Sequence, residues 1–478
     1  MTHLDVAAAA VEAALSAGAR YADARVMHRR HESVSARDGD VDDLSQTEDA
    51  GVGVRALVGS GWGFHAVADL SSAAATRAGT TAAATAAASA RVAGPAARLL
   101  PGAPTTATWA SPCEVDPFSV PLSEKGDLLV SATAAMRGTG VDLAEGVYQA
   151  WDTRKWFASS EGHRIEQHIR ECGAGIWATA VGEGETQRRS YPSHRGHYAS
   201  RGWEFMSELD LMGNAERIAE EARALLTAPP CPAATTTIVL GSEQMALQIH
   251  ESVGHAIELD RILGWEAAFA GTSWLDLRRL GSLRYGSDLM NIVIDPTVPG
   301  ALGSFGYDDE GTPATPRHAV REGVWVGVLA GRDSAAEAGL DYGGSLRADG
   351  WARLPIVRMT NVGLEPGPHT LDEMIAATDE GILMDVNRSW SIDDKRLNFQ
   401  FGCEIGWEIR DGRLGRMLRN PTYTGIGPRF WASMDMVGSE VTAWGTPNCG
   451  KGQPGQAAHT GHPTGPARFR DVRTGVRG

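Results

Sequence analysis

The segment at residues 250–255, H-E-S-V-G-H, carries the side chains best suited to chemistry in this chain. It is similar to the zinc-binding H-E-x-x-H pattern but has one more residue between the histidines. On a regular helix, residues five apart lie roughly 140° around the axis and ~7.5 Å along it. Two imidazole nitrogens could not then both lie ~2.0–2.1 Å from one zinc ion. The spacing therefore predicts that the backbone bulges or ends between His250 and His255, and Gly254 is the residue that could allow this.

Glu251 follows the first histidine directly and is a candidate general base that could deprotonate a metal-bound water. The alternative is a helix end with two ordinary histidines and an exposed glutamate. A hydrolytic zinc site needs a third protein ligand and an open fourth position. Cys449, in a loop rich in Gly and Pro, is the best candidate, while Cys403, His459 and His462 are alternatives that spacing leaves open. The strand-like surroundings of Cys403 favour a core position for it.

The composition predicts a large protein without nucleic-acid or membrane partners. Its 478 residues are 42% hydrophobic, enough for two or three domains with sizeable cores. Lys and Arg total 44 against 59 Asp and Glu, and the resulting net charge of −15 disfavours anionic partners. No apolar run approaches ~18 residues, and the N-terminus lacks a basic head before an apolar stretch. We therefore expect no membrane span and no signal peptide.

The five cysteines are scattered and form no disulfide framework, which predicts reduced thiols and a cytoplasmic location. Cys113, Cys172 and Cys231 have no metal-like neighbours and are predicted to be inert.

The elements that position the motif are predicted to form an α+β fold, with an N-terminal α+β part before a mainly β domain that carries the metal. Residues 1–100 are predicted to form an α+β module in which a helix precedes an antiparallel sheet. The stretch at 71–93 follows as a second, small-residue helix, or alternatively as a flexible linker. Within the module, short strands are predicted at 23–26, 33–36, 52–58 and 62–68.

Two further segments follow. Residues 101–228 are predicted to form a second α+β segment whose last helix is stopped by three prolines at 229, 230 and 232. Residues 229–478 are predicted to form a β-rich domain that carries the candidate catalytic motif. In it, a strand at 235–240 leads into a helix at 243–250 that carries the first histidine. Other predicted strands of the two segments lie at 147–150, 154–159, 163–180, 291–294, 324–329 and 404–409.

Several separate blocks of the sequence resemble the TldD/PmbA family of metallopeptidases, on its metal-bearing TldD side. The resemblance covers nearly the whole chain, and the blocks follow the family's order. They are YADAR at 21–25, GVGVR at 51–55, GWGF at 61–64, HESVGH at 250–255, DEGTP at 309–313, RMTN at 358–361 and CGK at 449–451.

This resemblance implies that His250, His255 and Cys449 bind Zn²⁺ and that Glu251 is the general base. It implies hydrolysis of peptide bonds in unfolded or modified peptides, inside the cytoplasm. It also implies a dimer, either a homodimer or a heterodimer with a related metal-free subunit of the TldE/PmbA type.

Two alternative functions stay open. One is hydrolysis of a single small amide or peptide-like biosynthetic intermediate, which a narrow, aromatic-lined pocket would favour. The other is a non-catalytic assembly subunit in which a fourth ligand closes a structural zinc site. Six tryptophans of the catalytic half are predicted to be mostly core residues, with a few lining an aromatic cleft: Trp325, Trp351, Trp390, Trp407, Trp431 and Trp444.

Overall fold

Long antiparallel strands flanked by helices make up the N-terminal half of the protein. The structure is a computed structural model and describes residues 2–92, 94, 97–182, 184–269, 271–452 and 455–475. The helices of this half are α1 (His3–Ser16), α2 (Ser72–Ser89), α3 (Leu122–Gly138), α4 (Phe205–Leu209) and α5 (Leu211–Thr227). The strands are β1 (Tyr21–Arg37), β2 (Asp40–Val58), β3 (Gly61–Val67), β4 (Thr106–Ala110), β5 (Leu143–Ser159), β6 (Arg164–Gly182), β7 (Glu185–Tyr191) and β8 (His197–Ala199).

These eight strands form one sheet in the order β3-β2-β1-β5-β6-β4, with β7 and β8 also paired to β6. Strand β1 pairs antiparallel with β2 on one side and with β5 on the other, so the first two predicted segments share the sheet. Most of the short strands predicted in this half are parts of longer ones, because pairing continues through polar, exposed residues such as those at 46–49. The division of the chain at residue 100 stays a prediction.

Helices α1 and α2 pack closely because small side chains face each other. Ala75, Ala78 and Ala82 of α2 are fully buried, and a Cβ atom at Gly79 would lie 2.1 Å from the carbonyl oxygen of Ala10 in α1. The prediction of a small-residue helix is thus confirmed over Ser72–Ser89, and the linker alternative is wrong. Residue 93, at the predicted end of that helix, lies outside the described residues.

The C-terminal half contains many shorter strands. Its helices are α6 (Ser242–Ile249), α7 (Leu259–Ile262), α8 (Arg332–Ala338), α9 (Leu371–Ala376) and α10 (Gly427–Ala432). Its first strands are β9 (Ala234–Leu240), β10 (Ile292–Ile294), β11 (Arg317–Arg321), β12 (Val324–Trp325), β13 (Leu346–Arg347), β14 (Ile356–Val357) and β15 (Val362–Leu364). Its later strands are β16 (Glu380–Ile392), β17 (Asn398–Arg410), β18 (Arg413–Arg419), β19 (Thr422–Ile426), β20 (Met434–Val437), β21 (Thr442–Lys451), β22 (Gln456–Thr464) and β23 (Ala467–Thr474).

A ring of strands supports the motif helix. The sheet runs β16-β9-β23-β19-β17-β18, and because β16 also pairs with β17, five of these strands close on themselves. The core beside the ring contains contacting aromatic rings, which are those of Phe399, Phe401, Tyr423, Phe430 and Phe469. Helix α6 follows β9 directly, so the motif starts from a closed and rigid element.

The predicted fold class is confirmed: the protein is α+β, with a C-terminal half rich in strands. One predicted strand, at 324–329, is shorter than expected. The N–H groups of Val326 and Gly327 both donate to the carbonyl oxygen of Ala319, which ends the regular ladder after Trp325. Within the described part of the chain, no helix has the length and apolar character needed to cross a membrane.

Candidate metal centre

The two motif histidines lie on a π-helical turn that continues α6. In this turn, His250–Gly254, the N–H of His255 donates to the carbonyl oxygen of His250 at 3.1 Å. The wider turn takes up the extra residue, and the two imidazole rings lie 4.8 Å apart, centroid to centroid, with their planes at 89°. The predicted irregularity between the histidines is therefore confirmed.

Buried polar groups hold the π turn at Ser252. The Ser252 carbonyl oxygen accepts a hydrogen bond from the Tyr285 hydroxyl at 2.6 Å. The Ser252 hydroxyl accepts from Trp431 Nε1 at 3.0 Å and donates to the Gln248 carbonyl oxygen at 2.6 Å. Because buried backbone and hydroxyl groups need such partners, this network stabilises the irregular turn.

Gly254 has a steric role in the turn. A Cβ atom there would lie 2.1 Å from Met359 Sδ, and Met359 is fully buried. Gly254 does not adopt a positive φ. The sequence thus predicted the right residue, but it is needed for close packing rather than for left-handed backbone geometry.

Cys449 reaches the histidines from β21. Its Sγ lies 3.7 Å from His255 Nε2, and the ligand atoms of His250, His255 and Cys449 all lie within 4.8 Å of one another. Two ligands of a tetrahedral zinc ion, with Zn–N ~2.0–2.1 Å and Zn–S ~2.3 Å, are roughly 3.6 Å apart. The chemistry and spacing of these three side chains therefore fit one zinc ion.

Two buried cations fix the strand that carries Cys449. The guanidinium of Arg358 donates to the carbonyl oxygen of Cys449 and, at 3.0 Å, to that of Gln456. Lys451 Nζ lies 2.7 Å from each carboxylate oxygen of Asp260. These two cations therefore connect the strand that carries Cys449 to two other parts of the C-terminal half.

His250 is oriented by a second histidine. His462 Nδ1 lies 2.9 Å from the Val362 carbonyl oxygen, which can only accept, so this nitrogen carries the proton. Burial lowers the pKa of His462 well below its usual range, so the ring is neutral and its Nε2 is an acceptor. His250 Nδ1, 2.8 Å away, must therefore donate to it. This leaves the lone pair of His250 Nε2 free for a metal.

His255 is oriented by a carboxylate. Its Nδ1 lies 3.0 Å from Glu258 Oε2, which also accepts from Arg261 Nε at 2.6 Å. Lys451 Nζ is 3.3 Å from the same oxygen, and these side chains are buried. Burial opposes ionisation of Glu258, but Lys451, His255 and Arg261 hold its pKa well below the usual range. An ionised Glu258 leaves His255 Nε2 free to bind a metal.

The protonation states of the three candidate ligands suit metal binding. Burial lowers the pKa of both His250 and His255, so both imidazoles are neutral near pH 7. Burial alone would raise the pKa of the Cys449 thiol, but the neighbouring His255 brings it below its usual value. Neutral imidazoles and an acidified thiol are the forms that a zinc ion binds.

Glu251 is buried beside this group but is not one of its three members. Its Oε2 accepts a hydrogen bond from Arg396 Nη1 at 2.7 Å. Within the described residues, no donor contacts its other carboxylate oxygen. The ion pair thus orients the carboxylate while leaving Oε1 available, as a general base requires.

The alternative third ligands are not members of the three-residue group. Cys403 is fully buried in the core of the C-terminal half, and His459 pairs with Glu171 at 3.0 Å. His462 contacts His250 but does not belong to the three-membered group. The roles of His250, His255 and Cys449 as ligands, of Glu251 as base, and of the remaining cysteines as inert thiols stay predictions.

A cavity of about 330 Å³ opens onto the three candidate ligands and Glu251. Trp390 and Trp444 line it, whereas Trp325 and Trp431 are fully buried in the core. Several residues that line the cavity were not predicted from the sequence: Ser193, His194, Arg195, Glu243, Asn387 and Arg396. Only Glu243 had a local signal, because it lies seven residues before His250 on the face of α6 that carries this histidine.

The α+β fold and the buried group of two histidines and one cysteine define a protein with a candidate metal centre. Comparison with known families supports this description. The family model described as the PmbA/TldA metallopeptidase C-terminal domain matches residues 233–472. Those for domain 1 and for the central domain match residues 22–91 and 115–226. The chain belongs to the PmbA/TldD family of metallopeptidases.

Individual relatives are distant but span the chain. A protein named Metalloprotease from Methanothermobacter thermautotrophicus is 29% identical over 455 residues, which is 95% of each chain. A Zinc metalloprotease TldD homolog from Saccharolobus solfataricus is 25% identical over 204 residues, 42% of this chain and 44% of that protein. The solved structure of TldE from Thermococcus kodakarensis has the same fold, with a TM-score of 0.71 at 16% identity over 98% of this chain and 99% of that one.

Proposed function

We propose that this protein is a zinc-dependent peptidase, the TldD-like metal-bearing member of its family. The observation that carries the proposal is the convergence of His250, His255 and Cys449 within 4.8 Å, with Glu251 beside them in an open cavity. Two histidines and a thiolate suit tetrahedral zinc better than metals that prefer oxygen ligands. The names of several relatives, including one zinc metalloprotease, support this proposal.

Each residue around the candidate metal centre has a separate role in the proposed reaction. A bound zinc ion would supply Lewis acidity, which polarises a carbonyl and makes water nucleophilic at neutral pH. Glu251 accepts the proton of the attacking water and passes it to the leaving amine nitrogen. Arg396 keeps the Glu251 carboxylate oriented through its bond to Oε2. His462 and Glu258 hold the two histidines in the tautomer with a free Nε2.

The substrate is a peptide bound in an extended form. The cavity wall includes residues 444–450 of β21, and this strand pairs with only one other strand, β22, in the described residues. Free main-chain groups on such an edge recognise any extended chain with little regard to sequence. Unfolded or modified peptides would fit this requirement.

Hydrolysis of one small amide is the second candidate. The cavity volume of about 330 Å³ lies near the low end for ligand pockets, and Trp390 and Trp444 give it an aromatic lining. A structural zinc site is disfavoured, since no fourth His, Cys, Asp or Glu of the described chain completes the group.

The assembly would be a dimer, with a second copy of the chain or with a related TldE-like, metal-free subunit. The fold shared with the protein named TldE supports a pairing of this kind. A cytoplasmic location fits the unpaired state of the five cysteines.

The test combines metal analysis with a peptide-library cleavage assay. The purified protein should contain close to one zinc per chain and should cleave library members. A chelator should abolish cleavage, and added zinc should restore it. Bound zinc with no cleavage of any peptide or small amide, alone or with a TldE-like partner, would refute the proposed activity.

A further inference from the structure

One end of the cavity is acidic and lies away from the metal group. Glu243, Ala246, Leu247 and His250 all line the cavity, because residues three, four and seven apart share one face of a helix. Seven residues at ~1.5 Å each place Glu243 roughly 10 Å along the helix from His250. The cavity therefore runs from the metal group to a carboxyl group at the start of α6.

Glu243 lacks a positive partner. Its Oε2 accepts the N–H of Asn387 at 2.6 Å, and no described residue forms an ion pair with it. Asp385, two residues earlier on β16, and Glu404, on the facing strand β17, add negative charge nearby. Glu404 is satisfied by Arg189 and Ser190. Glu243 has no such cationic partner among the described residues, and burial raises its pKa to about 8, so its carboxyl group keeps its proton near pH 7 until a cation binds beside it.

Asn387 gives an independent sign of a missing ligand. It lines the same cavity and is 4% exposed, yet its Oδ1 has no hydrogen-bond partner in the described residues. Buried amide oxygens are almost always paired, so this one is a free acceptor within a few ångströms of Glu243.

The backbone beside Asn387 is strained. Val386 has a φ of 56°, a left-handed conformation that β-branched residues rarely adopt. The register of β16 against β17 also shifts between Asn387 and Ser389. Such strain and bulges persist where the surrounding structure needs a particular side-chain placement, and they cluster near functional sites.

We propose that Glu243 and Asn387 form a subsite for a protonated amine of the substrate. An ammonium group offers three donors and no acceptor, which matches the unpaired amide oxygen and a carboxyl group that the positive charge would ionise. The proposal rests on the peptidase function, because the position of the amine is counted from the peptide bond that would be cleaved at the metal group. At ~3.3 Å per extended residue, roughly 10 Å corresponds to about three residues. The amine is therefore the free amino terminus of a peptide cleaved after its third residue, or a lysine side chain at a similar distance.

The test compares peptides that differ only in this charge. Wild-type protein is given tetrapeptide to hexapeptide substrates with free or acetylated amino termini, and acetylated peptides with lysine or norleucine at each position. We expect KM for the preferred free-amine peptide to rise about tenfold on acetylation, with kcat nearly unchanged. If the lysine peptides carry the preference instead, the cation is a side chain. Equal KM values for all charged and uncharged pairs would overturn the subsite.

Matched variants separate recognition from folding. Glu243→Gln should abolish the charge preference while leaving the acetylated peptide's KM within about twofold, and Glu216→Gln, on the exposed face of α5, should change neither. A Glu243→Gln protein that loses affinity for both peptide forms equally would make the residue structural only and refute the proposal.

Calorimetric titration of the same peptides into Glu251→Gln protein distinguishes the two proposals. Preferential binding of the amine form, without hydrolysis by the wild type, would support the subsite and contradict the peptidase function. Hydrolysis without amine preference would contradict the subsite alone.

Discussion

The two motif histidines are held in opposite ways. Neutral groups orient His250 through hydrogen bonds. His250 donates to His462, and His462 donates to the Val362 carbonyl oxygen. A charged cluster orients His255. Glu258 accepts from His255 and from Arg261, and Lys451 Nζ lies 3.3 Å from Glu258 Oε2. Both arrangements leave an Nε2 lone pair for the metal. They differ in the group that a mutation would leave without a partner, which is neutral on the His250 side and charged on the His255 side.

This difference separates metal affinity from folding stability. Loss of a neutral partner removes a hydrogen bond, which is worth about 0.5–1.5 kcal/mol net. Loss of one member of a buried charge cluster leaves an uncompensated charge, which costs about 3–5 kcal/mol. The His250 side should therefore respond mainly in metal binding, and the His255 side in metal binding and stability together.

The largest effect is expected from Cys449→Ala, which removes the candidate ligand that completes the group with both histidines. Zinc affinity should fall by more than the roughly 10–100-fold that is typical of losing an outer hydrogen-bond partner, because three ligands become two. Cys403→Ala is the matched control and should lower stability by truncating a buried side chain while zinc stays bound. Metal analysis that showed the reverse pattern would overturn the assignment of Cys449.

Glu258→Gln tests the charged side. The substitution keeps the shape of the side chain but leaves Arg261 and Lys451 with one fewer negative partner. We expect the free energy of unfolding to fall by about 3–5 kcal/mol, together with weaker zinc binding. Denaturant titration of the metal-free variant measures the first effect, with Glu216→Gln as the exposed control. Unchanged stability would show that the cluster does not depend on the charge of Glu258.

His462→Leu tests the neutral side. Without an acceptor, His250 Nδ1 loses its partner, and zinc affinity should drop by about 10–100-fold. His462→Gln should retain most of the affinity, since an amide can donate to the Val362 carbonyl oxygen and accept from His250. Competition with a chromophoric chelator measures the zinc dissociation constant of each variant. A Gln variant as weak as the Leu variant would show that the tautomer is not set in this way.

A further prediction concerns pH and the acidic end of the cavity. Burial is the main cause that raises the pKa of Glu243 from its usual 4.5 to about 8. The folded protein therefore keeps this proton between those values while the unfolded chain loses it, so stability from this group is lost as pH rises. The stability of the wild type relative to Glu243→Gln should decline between pH 5 and pH 9. A constant or rising difference would contradict the assigned shift.

The sequence predicted the local chemistry better than the long-range contacts. The five-residue spacing of the histidines required an irregular turn on geometric grounds, and the π turn is present. Glu258, three residues after His255, was within reach of sequence reasoning but was not singled out. His462 and Arg396 lie 212 and 145 residues from their partners His250 and Glu251, and no local pattern encodes such contacts.

The same limit applied to the fold. Apolar runs located fewer than half of the 23 strands in the described residues. The lengths of β1, β2 and β5 were underestimated because these strands continue through polar residues whose pairing depends on distant partners. The closure of the C-terminal ring through β16 and β17 is likewise set by tertiary pairing rather than by local propensity.

Glu251→Gln tests the central claim most directly, with zinc content and peptide turnover measured on the same sample. The amide keeps the shape of the side chain but cannot accept a proton. The account predicts zinc content equal to wild type and turnover lower by about 10²–10⁴-fold. Full turnover would contradict the role of Glu251 as general base, and loss of zinc together with turnover would show that it binds the metal or maintains the fold.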